Sequence, residues 1–140
     1  MSAFTARSGD LTPRQAWDAL AADPAAVLVD VRTQAEWVFV GLPDLTELGR
    51  RVVALEWTSF PGGAHNAQFL SQLEGAAPQD AQVLFLCRSG HRSVAAADAA
   101  ARAGWLRSYN VLDGFEGDLD ADGHRGARGW RAEGLPWRQS

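Results

Sequence analysis

The sequence predicts an α/β fold: a mostly parallel central sheet flanked by helices on both faces. Three observations carry this. Four short apolar runs, Val27-Leu28-Val29 with Val31, Val52-Val53-Ala54-Leu55, Val83-Leu84-Phe85-Leu86 and Tyr109-Asn110-Val111-Leu112, are continuous or nearly so. That is the pattern of strands buried on both faces, not of strands with one wet face. Helical patterns fall between them, the alternation expected of a parallel sheet. The length of 140 residues, 46% of them hydrophobic, fits one compact domain over 1–140, with its core from about 11 to 137. A chain of this size buries roughly 68% of its unfolded surface without needing disulfides or structural metal.

Taken in chain order, Thr12-Pro13-Arg14-Gln15 opens the first helix. Thr12 is the N-cap, Pro13 occupies the first helical position and Gln15 completes a capping box. The helix is expected to run to about residue 21, where Asp23-Pro24 ends it. After the first two apolar runs, Phe69, Leu70 and Leu73 recur at helical spacing within 66–73. The Ala-rich stretch 94–103 is a helix closed by Gly104. From 113 to 140 there are six glycines and little apolar periodicity until Trp130 and Trp137. A long loop is expected there, then a short helix packing its Trp side chains back on the domain.

The charge balance narrows the function. Thirteen basic residues, all Arg, stand against 17 acidic ones, for a net charge of −4. Such a surface is poorly suited to neutralising many phosphates, so nucleic acid is not the expected partner. No apolar stretch approaches the ~20 residues of a membrane-spanning helix, and the start MSAFTARSGD lacks the pattern of a secretory signal. A cytoplasmic protein with no membrane partner is expected, and the single cysteine, Cys87, suits a reducing compartment.

The chemistry concentrates in Cys87-Arg88-Ser89-Gly90-His91-Arg92-Ser93. In an open parallel sheet, ligands bind beyond the carboxyl ends of the strands, and the run 83–86 delivers Cys87 to that edge just before a helix. A turn this tight aims successive backbone N–H groups inward, and Gly90 takes up the unusual dihedrals cheaply. Such a nest, the positive end of the next helix and the Arg88 and Arg92 guanidiniums all favour thiolate over thiol. Cys87 is therefore expected to be a nucleophile open to attack. Arg88 and Arg92 present paired donors that match the oxygens of a sulfonate, phosphate or carboxylate. The bland alternative is a small buried hydrophobe at the end of a strand.

These residues resemble those of a family. Asp30-Val31-Arg32 followed by Glu36-Trp37, the 87–93 loop, and Gly134-Leu135-Pro136-Trp137 look like a single-domain rhodanese, a sulfurtransferase, over nearly the whole chain. The resemblance implies that Cys87 takes a sulfane sulfur from a donor such as thiosulfate or a persulfide, and passes it from its own persulfide to a thiol or cyanide acceptor. It implies catalysis by Cys87, with Arg88, Ser89, Gly90, His91, Arg92 and Ser93 as the substrate cradle, and neither cofactor nor metal. Two alternatives stand beside it: a sulfur-delivery or interaction module that serves a partner's protein thiol without turnover, and a cysteine-dependent phosphatase or arsenate reductase. Those last enzymes place five residues between Cys and Arg, whereas Cys87 and Arg92 are separated by four. The tighter loop suits a persulfide better than a phosphoryl group. The chain departs from the family pattern at Gly41-Leu42-Pro43-Asp44, where many rhodaneses carry Gly-His-Ile-Pro-Gly-Ala.

The remaining polar residues support blander readings. Arg32 and Glu36, four apart at a strand-to-helix junction, are expected to pair with each other, and Asp30 to hydrogen-bond the active loop. Asp118-Leu119-Asp120-Ala121-Asp122-Gly123 imitates an EF-hand start but has Gly129 where the motif needs Glu, so it is expected to be a solvated acidic loop. His65, His91 and His124 show no zinc spacing. His65 and His124 are expected in surface loops, and His91 either donates to a bound anion or tunes Cys87, or simply faces solvent. The six Trp are expected to pack in the core and rim, with Trp57 or Trp105 as candidates for a pocket mouth.

Overall fold

A computed structural model describes residues 6–59 and 62–139. Residues 1–5, which hold the first half of the MSAFTARSGD start, lie outside the described residues. A parallel sheet is built from β1 (Gly9–Leu11), β2 (Val27–Asp30), β4 (Val53–Ala54), β5 (Val83–Leu86) and β6 (Ser108–Val111) in the order β1-β6-β5-β2-β4. A separate antiparallel pair joins β3 (Leu42–Pro43) to β7 (Trp137–Arg138). The helices are α1 (Pro13–Ala22), α2 (Gln34–Phe39), α3 (Phe69–Ala76) and α4 (His91–Arg102). None of these helices is long and apolar enough to cross a membrane.

Because successive strand side chains point to opposite faces, continuous apolar strands feed two cores. Val29, Val83 and Phe85 meet Phe69, Leu73, Ala96, Ala97 and Ala100 on the α3 and α4 face. Leu28, Leu84 and Leu86 meet Ala16, Leu20, Phe115 and Trp130 on the other. All four residues of β5 are buried, as its central place between β6 and β2 requires.

Local signals explain most boundaries. At α1 the expected capping box is complete: Gln15 N–H donates to Thr12 Oγ1 at 3.1 Å and Thr12 N–H to Gln15 Oε1 at 2.9 Å. A second box, Thr33 with Glu36, opens α2. Helix α3 begins at Phe69, not at 66, because Asn66 holds a turn: its amide donates to the Glu56 carbonyl and its Oδ1 accepts Gln68 N–H. Helix α4 begins at His91, three residues before the apolar pattern, and ends at Arg102, with Ala103 as its C-cap before Gly104 at φ +117°.

The expected C-terminal helix is absent from 113–139, where the chain runs through turns into β7. Glycines at positive φ, among them Gly129 and Gly134, break any helical run. Trp130 does pack back, fully buried with its indole N–H on the Pro136 carbonyl at 2.7 Å, while Trp137 stays 40% exposed. The acidic loop is exposed and internally tied, with the Asp120 carboxylate accepting the N–H groups of Asp122 and His124.

Candidate active site

The loop 87–93 leaves the carboxyl end of central β5 and is shaped from behind by 113–117. The Cys87 carbonyl accepts Phe115 N–H at 2.8 Å, and the Arg88 carbonyl accepts the N–H groups of Glu116 and Gly117 at 2.9 and 3.1 Å. These two carbonyls are thus tied to 115–117, away from the sulfur. Gly90, at φ +103°, donates its N–H to Cys87 Sγ at 3.1 Å. The N–H groups of Arg88, Ser89, His91 and Arg92 donate to no protein acceptor among the described residues. Ser93, fully buried in the first turn of α4, places its Oγ 3.2 Å from Cys87 Sγ and 2.5 Å from Asn110 Oδ1 of β6. The positive end of the α4 dipole lies against the same loop.

Cys87 itself is 1% exposed and packs into the α3 and α4 core. The sulfur therefore differs from the openly exposed nucleophile that the sequence suggests. It ends the most buried strand of the sheet, and the loop folds over it. Its immediate polar neighbours are nonetheless the Gly90 amide and the Ser93 hydroxyl.

The two loop arginines divide. The Arg92 guanidinium meets Glu36 in a bidentate pair, with Nη1 at 2.7 Å from Oε1 and Nη2 at 2.9 Å from Oε2. Arg88 is exposed and has no carboxylate partner among the described residues. Both border an open cleft of about 470 Å³, whose wall includes Thr33, Ala35, Glu36, Phe39 and Val40. Arg92 thus does not stand free beside Arg88 as a second arm of an anion clamp. Burial pushes the Glu36 carboxyl up, but the Arg92 hydrogen bond, the Thr33 N–H and the charges of Arg92 and Arg32 together hold it below its ordinary value. Arg92 is raised, first by the Glu36 hydrogen bond and against burial, so the two partners agree.

The Asp30 to Glu36 segment also pairs differently from expectation. Arg32 and Asp30 are both fully buried and bond each other, Nε to Oδ1 at 2.9 Å and Nη2 to Oδ2 at 2.6 Å, instead of Arg32 pairing with Glu36 and Asp30 with the loop. Arg32 Nη2 also donates to the Gly41 carbonyl, and its guanidinium lies 4.3 Å from the Phe115 ring centroid. The reason is reach: at the end of buried β2, Arg32 is enclosed, whereas Glu36 sits one helical turn on and opens toward the cleft.

Ser89 is half-buried in the loop. The His91 ring turns outward, with Nε2 3.3 Å from Asp118 Oδ1 and its side chain 78% exposed. His65 and His124 are exposed, and His65 stacks edge-on against Trp57. Trp105 is buried with its indole N–H on the Ala77 carbonyl, and Trp57 packs on Phe69, so neither lines the cleft. A larger cleft of about 600 Å³, near Asp44, Arg50, Arg51 and Arg138, shares no residue with the loop. Three residues now belong to the site that the sequence alone did not place there: Glu36, Asn110 and Gly114. Asn110 had one signal, a polar side chain inside an apolar strand.

A family model described as the STR4 middle domain matches residues 9–140. The chain is 28% identical over 126 residues to the chloroplastic rhodanese-like domain-containing protein 4 of Arabidopsis thaliana, covering 89% of this chain and 24% of that one. This chain belongs to the STR4 middle domain family and is rhodanese-like. The crystal structure of Rv0390 from M. tuberculosis is 60% identical and superposes with a TM-score of 0.89, over 96% of this chain and 99% of that one. The solution structure of the polysulfide-sulfur transferase homodimer from Wolinella succinogenes shares the rhodanese-like fold, with a TM-score of 0.64 at 21% identity over 96% of this chain and 80% of that one.

Proposed function

We propose that this rhodanese-like domain is a sulfurtransferase that carries sulfane sulfur as a Cys87 persulfide. The observation that carries the reading is the Gly90 N–H donating to Cys87 Sγ at 3.1 Å, in a loop whose first two carbonyls, those of Cys87 and Arg88, are tied to 115–117. Hydrogen bonds from preorganised N–H groups stabilise an anionic sulfur in a site that excludes water. The Cys87 thiolate attacks the outer sulfur of thiosulfate. As the new S–S bond forms, the donor's S–S bond breaks and sulfite leaves with the electron pair. An acceptor thiolate, or cyanide, then attacks the outer sulfur of the persulfide and restores the Cys87 thiolate. All of these steps are served by residues of the chain, and a protein thiol is a natural alternative acceptor.

Loop size and charge both weigh against a phosphatase. Four residues separate Cys87 from Arg92, and the Arg92 fork is held by Glu36, whereas phosphoryl transfer needs that cation on the phosphate. The test is turnover: thiocyanate formed from thiosulfate and cyanide. The wild type is expected to produce it and Cys87→Ala to fall to background. Equal rates for the two overturn the reading.

A further inference from the structure

Glu36 stands where a second anion-binding group is expected. Its carboxylate is fixed at the start of α2 by the Thr33 N–H at 3.0 Å and occupies both arms of Arg92. The pair borders the cleft, with Arg92 26% and Glu36 18% exposed. Two cations, Arg88 and Arg92, and one anion, Glu36, leave a single net positive charge at the mouth. The buried Asp30–Arg32 pair adds no net charge. Glu56, which borders the adjoining groove beyond Phe39, only makes the surroundings more negative. The rest of the wall combines an apolar side, Phe39 (75% exposed) with Ala35 and Val40, and a side of small residues, Thr33, Thr58, Ser59 and Gly63. A cleft of this volume takes a small ligand, with polar groups fixing its orientation and an apolar surface holding the rest.

We infer that Glu36 is a specificity-determining residue that selects singly charged sulfur donors with an apolar tail, of the organic thiosulfonate class, over the dianion thiosulfate. This rests on the sulfurtransferase reading of Cys87 and deepens it. The Cys87 thiolate attacks the sulfane sulfur of R–SO2–S⁻, the bond from that sulfur to the sulfonyl group breaks, and R–SO2⁻ leaves with the electron pair. One thiolate and one monoanion become one persulfide anion and one sulfinate, so charge and electrons balance. Arg88 holds the sulfonyl oxygens and Phe39 packs on the tail. A dianion brings a second negative charge against the fixed Glu36 carboxylate.

The test compares kcat/KM for benzenethiosulfonate with that for thiosulfate. Each value is divided by the rate constant of the same donor with a free small-molecule thiolate, which removes intrinsic reactivity. The wild type is expected to favour benzenethiosulfonate. Glu36→Gln keeps a capping residue at this position and is expected to shrink the preference by about tenfold, mainly through a lower KM for thiosulfate, because one opposing charge is removed. Phe39→Ala, on an exposed side chain, is expected to shrink it from the other side, by raising KM for benzenethiosulfonate alone. A general loss of structure lowers both rates without moving their ratio. A wild type without preference, or a ratio unmoved in Glu36→Gln while sulfur still loads on Cys87, overturns the role of Glu36 and leaves the sulfurtransferase reading standing. If neither donor puts sulfur on Cys87, the sulfurtransferase reading falls and this inference falls with it.

Discussion

Gly114 lies directly behind Cys87: a Cβ on Gly114 would overlap the Cys87 carbonyl oxygen and come within 2.7 Å of the Arg88 carbonyl carbon. Gly114 also adopts φ +55°, so the backbone there both requires and permits this contact. Gly114→Ala is expected to push the loop away from its supports at Phe115 and Glu116. A loss of about 2 kcal/mol or more in urea denaturation follows, together with slower sulfur loading than any exposed-surface substitution gives.

The Asp30–Arg32 pair is fully enclosed. Removing one partner leaves a buried charge without compensation, which costs about 3–5 kcal/mol. Asp30→Ala is expected to lose stability in that range, read by the shift of the urea midpoint, even though Asp30 touches no atom of the 87–93 loop through a hydrogen bond.

Acid should release the Glu36–Arg92 pair. The Glu36 carboxyl titrates below its ordinary value of 4.5 in the folded protein. Its contribution to stability is therefore fully present above that value and is lost as pH falls through the lower, folded value. The stability difference between wild type and Glu36→Gln, measured by chemical denaturation across pH 7 to 3, should hold steady down to about pH 4.5 and shrink below it. A difference that grows on acidification contradicts the assignment.

Ser93 connects Cys87 to Asn110. Ser93 Oγ donates its proton to Asn110 Oδ1, which turns the hydroxyl oxygen toward the sulfur and fixes Cys87 between the Gly90 amide and a buried polar chain. Ser93→Ala breaks that chain and is expected to slow persulfide formation, read as the rate of mass gain with thiosulfate, by loosening the placement of the sulfur. It also leaves the Asn110 side chain short of a partner at a stability cost of about 1–3 kcal/mol.

Much of this was legible in the sequence, for physical reasons. Continuous apolar strands can only be buried on both faces, so β2, β5 and the sandwich of two cores followed from pattern alone. The Thr12 box marked α1 because capping is local chemistry. The same signature at Thr33 and Glu36 marks α2, but Glu36 also lies within helical reach of Arg32, and local spacing favoured that partner over Arg92, which is 56 positions distant. Strands β1, β3 and β7 are two or three residues long and owe their existence to partners far along the chain. The nearness of Gly114 to Cys87 is likewise a product of the fold, since 27 positions separate them. The burial of Cys87 had the same origin: a residue that ends a central strand inherits the strand's enclosure.

The central claim is that Cys87 accepts and holds a sulfane sulfur despite its enclosure. Its most direct test is the intact mass of the protein after incubation with thiosulfate. Wild-type protein should gain the mass of one sulfur atom, lose it again on treatment with cyanide, and show no gain once Cys87→Ser is introduced. A wild-type mass that stays unchanged with thiosulfate and with benzenethiosulfonate, or a gain that persists in Cys87→Ser, contradicts it.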